Sequence, residues 1–413
     1  MAEKETAGKK RRLGDMQLFW RRGVQYGEVD LPFFLIVIAL LVMGIVMMFS
    51  ASYAWAIAEG KEGSYYAVSQ MKNAGLGLVL MLFLCMVDYH FFQKKLIAIG
   101  AYVLPLILLV MVFIPGIGVT DGGATRWIAI GSFNFQPSET MKIGMVIFYS
   151  YVITKNYDNM RYFLRGMLPT LLVPAALLIK EPHISATALI VMTCIILIFV
   201  GGVNLKQFLL IGVIGAAGAL LVVSIMSRNY DYIQKRIQSW VDPFADSQGN
   251  TWQTCQSLIA IGSGGLFGLG LGESRQKYLY LPETKNDFVF SIVCEELGLV
   301  GALTVVLLFT LLVIRGFYIA MRAKDKFGML MAIGLTSHIG LQAFFNIAVV
   351  SNLIPNTGIS LPFFSYGGTA LILQLAEMGI VLNISRVRYQ SPQRVPAAER
   401  APQAEVQLQG GNA

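Results

Sequence analysis

Two clusters carry residue types that could do chemistry at a membrane boundary. The first lies in the stretch 256–301, QSLIAIGSGGLFGLGLGESRQKYLYLPETKNDFVFSIVCEELGLVG. It holds a glycine cluster (Gly262, Gly264, Gly265, Gly268, Gly270, Gly272), then Arg275 and Lys277 among tyrosines, then Asp287 directly before an apolar run that carries Glu295 and Glu296. Ionisable groups at such a boundary are costly to keep, so a functional role is the default reading. The second cluster is 115–142, PGIGVTDGGATRWIAIGSFNFQPSETMK. Ser138 and Glu139 suit a helix start, as cap and dipole partner. Lys142 falls one turn on from Ser138 and on nearly the same face as Glu139. Two readings stand side by side. Arg126-Trp127 is an interfacial anchor and Glu139 lets a lysine enter the membrane, or Arg126 and Lys142 form a cationic site for phosphate.

Smaller features flank these clusters. Arg236, Trp240, Asp242-Pro243 and Asp246 sit in a turn-rich region, where Arg236 could pair with a loop carboxylate. The glycines at 262–272 do not make a dinucleotide fingerprint, because no strand precedes them, so they predict close backbone packing or a re-entrant turn. Asn356 to Gly368 mixes turn residues with aromatics and includes Ser365; it is either a structured loop or one wall of a groove for a lipid-linked substrate. Glu181-Pro182-His183 is a tight turn in which a lone histidine is ordinarily just a turn residue. The three histidines lie in separate elements, which disfavours a histidine-based zinc site. The four cysteines lack metal-type spacing and predict no disulfide.

The elements that must position these residues are apolar helices. Of 413 residues 55% are hydrophobic and only 14% charged, against about 25% charged in soluble domains. This predicts an all-α, polytopic membrane protein with ten spans, at about 31–50, 68–87, 96–114, 138–153, 166–179, 184–200, 208–226, 288–314, 329–350 and 369–384. Several are short, which implies tilt or partial burial. Residues 1–30 form a basic tail, 31–386 the membrane domain, 227–287 a large loop between the seventh and eighth spans, and 387–413 a disordered tail. The first apolar run lacks a cleavage site and reads as a retained helix. Lys9, Lys10, Arg11, Arg12, Arg21 and Arg22 crowd the N-terminus ahead of that span, so they read as a topology signal rather than a nucleic-acid site. Lys94, Lys95, Lys155, Arg161, Arg165, Lys206, Arg315, Arg322, Lys324, Lys326, Arg386 and both tails fall on one side, which is then cytoplasmic. The motif-dense segments fall outside, where a nucleotide is not expected as substrate or cofactor. Gln342, Asn346, Gln374 and Glu377 must face protein or water rather than lipid.

The ordered set of motifs resembles the SEDS family (shape, elongation, division and sporulation), which includes FtsW, RodA and SpoVE. The resemblance rests on Arg126-Trp127-Ile128, Gln136-Pro137-Ser138-Glu139 with Lys142, Gln256-Ser257 through Gly272, Leu281-Pro282-Glu283 with Asp287-Phe288, Glu295 through Gly298, and Thr357-Gly358 through Gly368. Val381 to Arg386 and the basic N-terminal extension look more like the FtsW division branch, or its sporulation relative, than RodA. The resemblance implies a glycosyltransferase that polymerises lipid II outside the bacterial cytoplasmic membrane, at the septum, beside a class B penicillin-binding protein and other divisome proteins. The family's loop aspartate falls on Asp287. This chain departs from the family's usual pattern at His183, where Asp is common, and at Lys285-Asn286, where His-Thr is usual.

The chemistry so implied joins a sugar 4-hydroxyl to an anomeric carbon and expels a polyprenyl pyrophosphate. The leaving group needs charge stabilisation, from Arg126 and Lys142 or from a divalent cation such as Mg or Mn, which Asp287 could ligate. The acceptor hydroxyl needs one base, for which Asp287 is the candidate. Desolvation would raise its pKa and nearby Lys277 and Lys285 would lower it, with the balance open. Trp127, Glu139, Arg236, Lys277, Glu295 and Ser365 are further expected substrate contacts. A lipid II flippase, a scaffold without chemistry of its own, and RodA-type elongation remain alternatives. A flippase would place its charges along a path from the inside face, whereas these cluster outside.

Overall fold

The computed structural model describes residues 27–121, 124–130, 133–156, 166–202, 209, 212–213, 215, 231–246, 248–249 and 251–386. Nine of the ten expected spans are helices there. The expected seventh span, 208–226, lies outside the described residues but for isolated positions, as do both tails and 157–165. The helices are α1 (Leu31–Ala58), α2 (Tyr65–Met86), α3 (Lys95–Met111), α4 (Pro137–Asn156), α5 (Leu168–Lys180), α6 (Ile184–Val200), α7 (Asp231–Val241), α8 (Trp252–Ser263), α9 (Val289–Met321), α10 (Lys326–Val350) and α11 (Gly368–Arg386). Five of these are long and apolar enough to cross a membrane by length and composition: α1, α2, α9, α10 and α11.

Local sequence explains the helix ends. Asp30 caps α1, its carboxylate accepting the Phe33 N–H at 3.1 Å, with Pro32 in the first turn where no N–H is needed. The helix runs past the expected Ser50 because Ala-Ser-Tyr-Ala-Trp-Ala-Ile-Ala contains no breaker before Gly60. At 28 residues it spans about 42 Å, longer than the hydrocarbon core. Its last turns therefore stand clear of that core and reach the loops. One expectation needs correction. Ser138 does not cap α4; the helix already begins at Pro137, and the buried Ser138 hydroxyl has no partner.

α10 and α11 are the inner helices, mostly buried, whereas α2 and α9 expose apolar faces suited to lipid. On α9 that face is Leu299, Leu303, Leu307 and Ile314. α10 packs against α9, α6, α4 and α11, and α2 lies along α11. The polar side chains expected to avoid lipid do so: Gln342, Asn346, Gln374 and Glu377 are all buried, and His338 Nδ1 lies 2.8 Å from Glu377. All four cysteines are free and buried.

The 115–137 segment is not a plain loop. Strands β1 (Gly118–Asp121), β2 (Ala124–Ile130) and β3 (Phe133–Phe135) form an antiparallel sheet in the order β1-β2-β3. Arg126-Trp127-Ile128 occupies its middle strand.

α9 is broken at Gly298, where φ is 64°. The break frees carbonyls of the preceding turn, and the glycine segment satisfies them. Leu269 N–H donates to Glu295 O (2.9 Å) and Gly270 N–H to Glu296 O (3.0 Å). The contact is main chain on main chain. A Cβ at Gly298 would sit 2.3 Å from Gly268 N, and one at Gly268 2.1 Å from Glu296 O. That approach, rather than phosphate binding, is what these two glycines serve.

Candidate active site

The site gathers at the end of the bundle where the sheet, the Glu181–His183 turn, α7 and the 351–368 loop meet the start of α9. Asp287 lies two residues before α9 and is half-buried. Its main chain is pinned: Asn346 on α10 donates to Asp287 O (2.7 Å) and to Ile359 O (2.6 Å). Ser365 donates to Asn286 O (2.5 Å) and accepts the Leu361 N–H (2.7 Å). Ser365 thus ties the 361–368 loop to the residue before the aspartate.

The carboxylate itself accepts no hydrogen bond among the described residues. One oxygen faces Gly358, where an added Cβ would lie 3.2 Å away and the backbone is left-handed (φ 67°). A side chain at 358 would crowd the acid. Burial raises the Asp287 pKa to about 6; Glu283 adds to the rise, and Arg236 and Arg126 oppose it. Burial wins. The two lysines expected to lower it act elsewhere. Lys285 turns to Glu59 (2.8 Å), and Lys277 is buried against Glu296 (3.0 Å) and Ser50 (3.1 Å).

The cations come from separate elements. Arg126 on β2 donates through Nη2 to Pro182 O (2.6 Å) and through Nε to Glu181 O (3.3 Å). Lys142, buried on α4, pairs with Glu139 (2.8 Å) and donates to Gln342 Oε1 (3.3 Å). Gln342 in turn donates to Ser360 O and Oγ, both at 3.1 Å. Arg236 on α7 donates to Asn356 O (2.6 Å), two residues before Gly358.

Other expected contacts fall outside this cluster. Trp127 follows Arg126 on β2, so it points to the opposite face of the sheet. Glu295 accepts the Arg275 N–H (3.0 Å), the Gln276 N–H (3.3 Å) and the Ser274 hydroxyl. It closes the turn after the glycines.

The Glu181–His183 turn is more than a turn. Glu181 is buried, its Oε1 is without a partner, and its pKa is raised to about 8 by burial against the opposing Arg126. His183 Nδ1 is likewise buried and unpartnered. Burial, then Arg126 and Lys142, hold its pKa well below the usual imidazole range, so the ring is neutral. Arg126 therefore acts on Asp287, Glu181 and His183 together. The one signal for this in the sequence is a glutamate that follows an apolar run and Lys180, immediately before a proline.

Comparison with known proteins gives the family and the relatives of the chain. A family model described as Cell cycle protein, FTSW_RODA_SPOVE, matches residues 31–390. The chain is 42% identical to stage V sporulation protein E of Bacillus subtilis (strain 168), over 86% of this chain and 97% of that protein. It is 38% identical to a probable peptidoglycan glycosyltransferase FtsW of Geobacter sulfurreducens (strain DL-1 / KN400), over 86% of this chain and 95% of that one. Among solved structures, it resembles a chain from work on structural coordination of polymerization and crosslinking by a peptidoglycan synthase complex. There the TM-score is 0.73 and identity 27%, covering 88% of this chain and 99% of that one.

Proposed function

The chain belongs to the FtsW/RodA/SpoVE family of cell cycle proteins, and from that membership and the site we infer how it works as a multi-pass membrane peptidoglycan glycosyltransferase. The donor and acceptor are lipid II or a growing strand, bound at the outer face of the bacterial cytoplasmic membrane. The distribution of Lys and Arg supports that side, with both tails cytoplasmic. A class B penicillin-binding protein is the fitting partner, as the likeness to a synthase complex that joins polymerization to crosslinking suggests. We further propose that it works at the division septum with other divisome proteins, a reading that the likeness to FtsW proteins supports.

The observation that carries the mechanism is an ionisable carboxylate with a pinned backbone and unpartnered oxygens, Asp287. With its pKa near 6 it is largely ionised at pH 7 yet basic enough to take a proton from the acceptor 4-hydroxyl. The hydroxyl oxygen attacks the anomeric carbon as the glycosyl–phosphate bond breaks. The proton passes to Asp287 and the pyrophosphate leaves as the anion. Arg126 and Lys142 stabilise that developing charge, with Glu139 and Gln342 holding the lysine. Arg236 holds the 356–358 backbone against the base.

A divalent cation fits only in part. Among the described residues no three His, Cys, Asp or Glu side chains group as a metal cage. Magnesium, however, often uses one or two carboxylates together with substrate phosphates. Asp287 could supply one such ligand, and the ion would then neutralise charge on the pyrophosphate.

The test is polymerisation of purified lipid II by the purified protein, with and without its penicillin-binding partner, and with Mg or Mn present and then chelated. Asp287→Ala runs alongside. Glycan strands from the wild type, and a loss of about 10²-fold or more in a folded Asp287→Ala protein, are expected. Wild-type rates from that variant would remove Asp287 from the mechanism.

A further inference from the structure

Asp287 has open oxygens, yet the residues before it are gripped from several sides, and the tightest grip is on Lys285. Lys285 Nζ donates to Glu59 Oε1 (2.8 Å) and to the Tyr66 hydroxyl (2.9 Å). It also lies 4.1 Å from the Tyr66 ring centroid and 5.2 Å from that of Trp55. Lys61 binds the other oxygen of Glu59 (2.6 Å), and the Tyr66 hydroxyl donates to the same oxygen. On the main chain, Tyr366 N–H donates to Lys285 O (2.7 Å), and the Tyr366 ring meets Tyr66 edge-on at 5.0 Å. One residue earlier, Thr284 donates to Ala51 O on α1 (2.9 Å). Lys285 is thus held at its side chain by the α1–α2 hairpin and at its main chain by the 361–368 loop, two residues before Asp287.

The grip is ionic at any working pH. Glu59 is lowered to about 2 by its bonds to Lys285, Lys61 and Tyr66. Lys285 is raised, its bonds to Glu59 and Tyr66 outweighing burial. The Lys285 charge is not among the groups that act on Asp287, which are Glu283, Arg236 and Arg126. Its influence on the acid is therefore mechanical.

We propose that Lys285, clamped by Glu59 and Tyr66, is a positioning residue that fixes where the Asp287 carboxylate stands relative to the acceptor hydroxyl. The proposal rests on Asp287 being the base. A misplacement of about 1 Å can cost about 10²-fold in rate, so the clamp needs to fail only slightly to be felt.

The experiment compares lipid II polymerisation by the full chain with its partner for wild type, Lys285→Met, Lys285→Arg, Glu59→Gln and Asp287→Asn. Thermal melting in detergent checks that each is folded. For Lys285→Met we expect kcat to fall roughly 10- to 100-fold with KM unchanged. The acid limb of the pH–rate profile should stay near pH 6. Lys285→Arg should recover most of the rate, since it keeps the charge and can stack on Tyr66. Glu59→Gln, the gentler change should Lys285→Met not fold, should lower kcat in the same way. Unchanged kcat in Lys285→Met and Glu59→Gln overturns the proposal. A fall accompanied by a displaced acid limb also overturns it, by making Lys285 an electrostatic partner of the base. A rise in KM alone overturns it in favour of a substrate contact. If Asp287→Asn polymerises normally, the base assignment fails and this inference with it. If Asp287→Asn is inactive and the Lys285 and Glu59 variants are normal, only the positioning role fails.

Discussion

Asp287 and the Glu295–Glu296 pair stand two turns apart along one segment, and their surroundings are opposite. Glu295 accepts from Ser274, Arg275 and Gln276, and Glu296 from Ser50, Lys277 and the Ser274 N–H. Both glutamates are buried. Asp287 accepts nothing from the described residues, and it sits among charges that act on it from a distance. The glutamates join α1 and the glycine turn to the broken helix, and no room is left for a ligand on Glu295. The aspartate has its backbone fixed and its oxygens available. Glu296 takes all its bonds on Oε1, its buried Oε2 having no partner, yet that one oxygen ties three segments together. A buried carboxylate gripped by several donors organises structure, whereas one held by its main chain alone keeps both oxygens for a reaction.

The largest test of this contrast is Lys277→Met. It leaves the Glu296 carboxylate buried without its cation, which costs about 3–5 kcal/mol when a buried pair loses one partner. The expected outcome is a marked drop in melting temperature in detergent. Rate per folded molecule should stay near wild type, and Lys277→Met combined with Glu296→Gln should regain much of the stability. Normal melting with lost polymerisation would instead place Lys277 with the substrate and erase the contrast.

The same contrast marks what could be read in the sequence. Hydropathy gives the helices, because a span must satisfy its own backbone in lipid and therefore reads as an apolar run. Motif order points to Asp287, Arg126 and Lys142, and the Glu139–Lys142 pair follows from helical spacing. The sequence does not reveal which carboxylates are gripped by donors, since the partners of Glu295 come from 274–276 and those of Glu296 include Ser50 on α1. It also hides the sheet at 118–135, whose Gly, Thr and Asp residues read as loop. The direction of Lys285 is hidden for the same reason. Its partner Glu59 is distant in the chain, and only the long reach of α1 brings them together.

Glu181 offers a middle-sized test, because it is buried like Glu296 and unpartnered like Asp287. Its folded pKa of about 8 lies above the ordinary 4.5, so the folded protein holds a proton that the unfolded chain releases between those values. That contribution to stability is fully present below about pH 4.5 and is lost as pH rises to 8. Glu181→Gln keeps the shape of the neutral acid and removes the titration. Melting of wild type and variant should agree near pH 5 and diverge toward pH 8, with the variant the more stable by up to a few kcal/mol, at about 1.4 kcal/mol per pH unit. Parallel curves would mean that Glu181 is paired and belongs with the acids gripped by donors.

The finest test concerns Asp287 alone. As the proposed base it must be ionised, so polymerisation should rise with pH and level off above about 6, falling about tenfold for each unit below. Glu283 helps hold that pKa up by its negative charge, while burial does most of the work. Glu283 is exposed and donates nothing to the acid, its carboxylate accepting from Asn286 at 2.6 Å. Glu283→Gln should therefore slide the acid limb to lower pH and leave the plateau rate unchanged. Since an exposed charge is screened by salt, the gap between the two profiles should close at high ionic strength while both limbs persist. A limb that vanishes in Glu283→Gln would show that charge repulsion, not desolvation, sets the base. Asp287 would then differ from the buried glutamates by its neighbours rather than by its open oxygens.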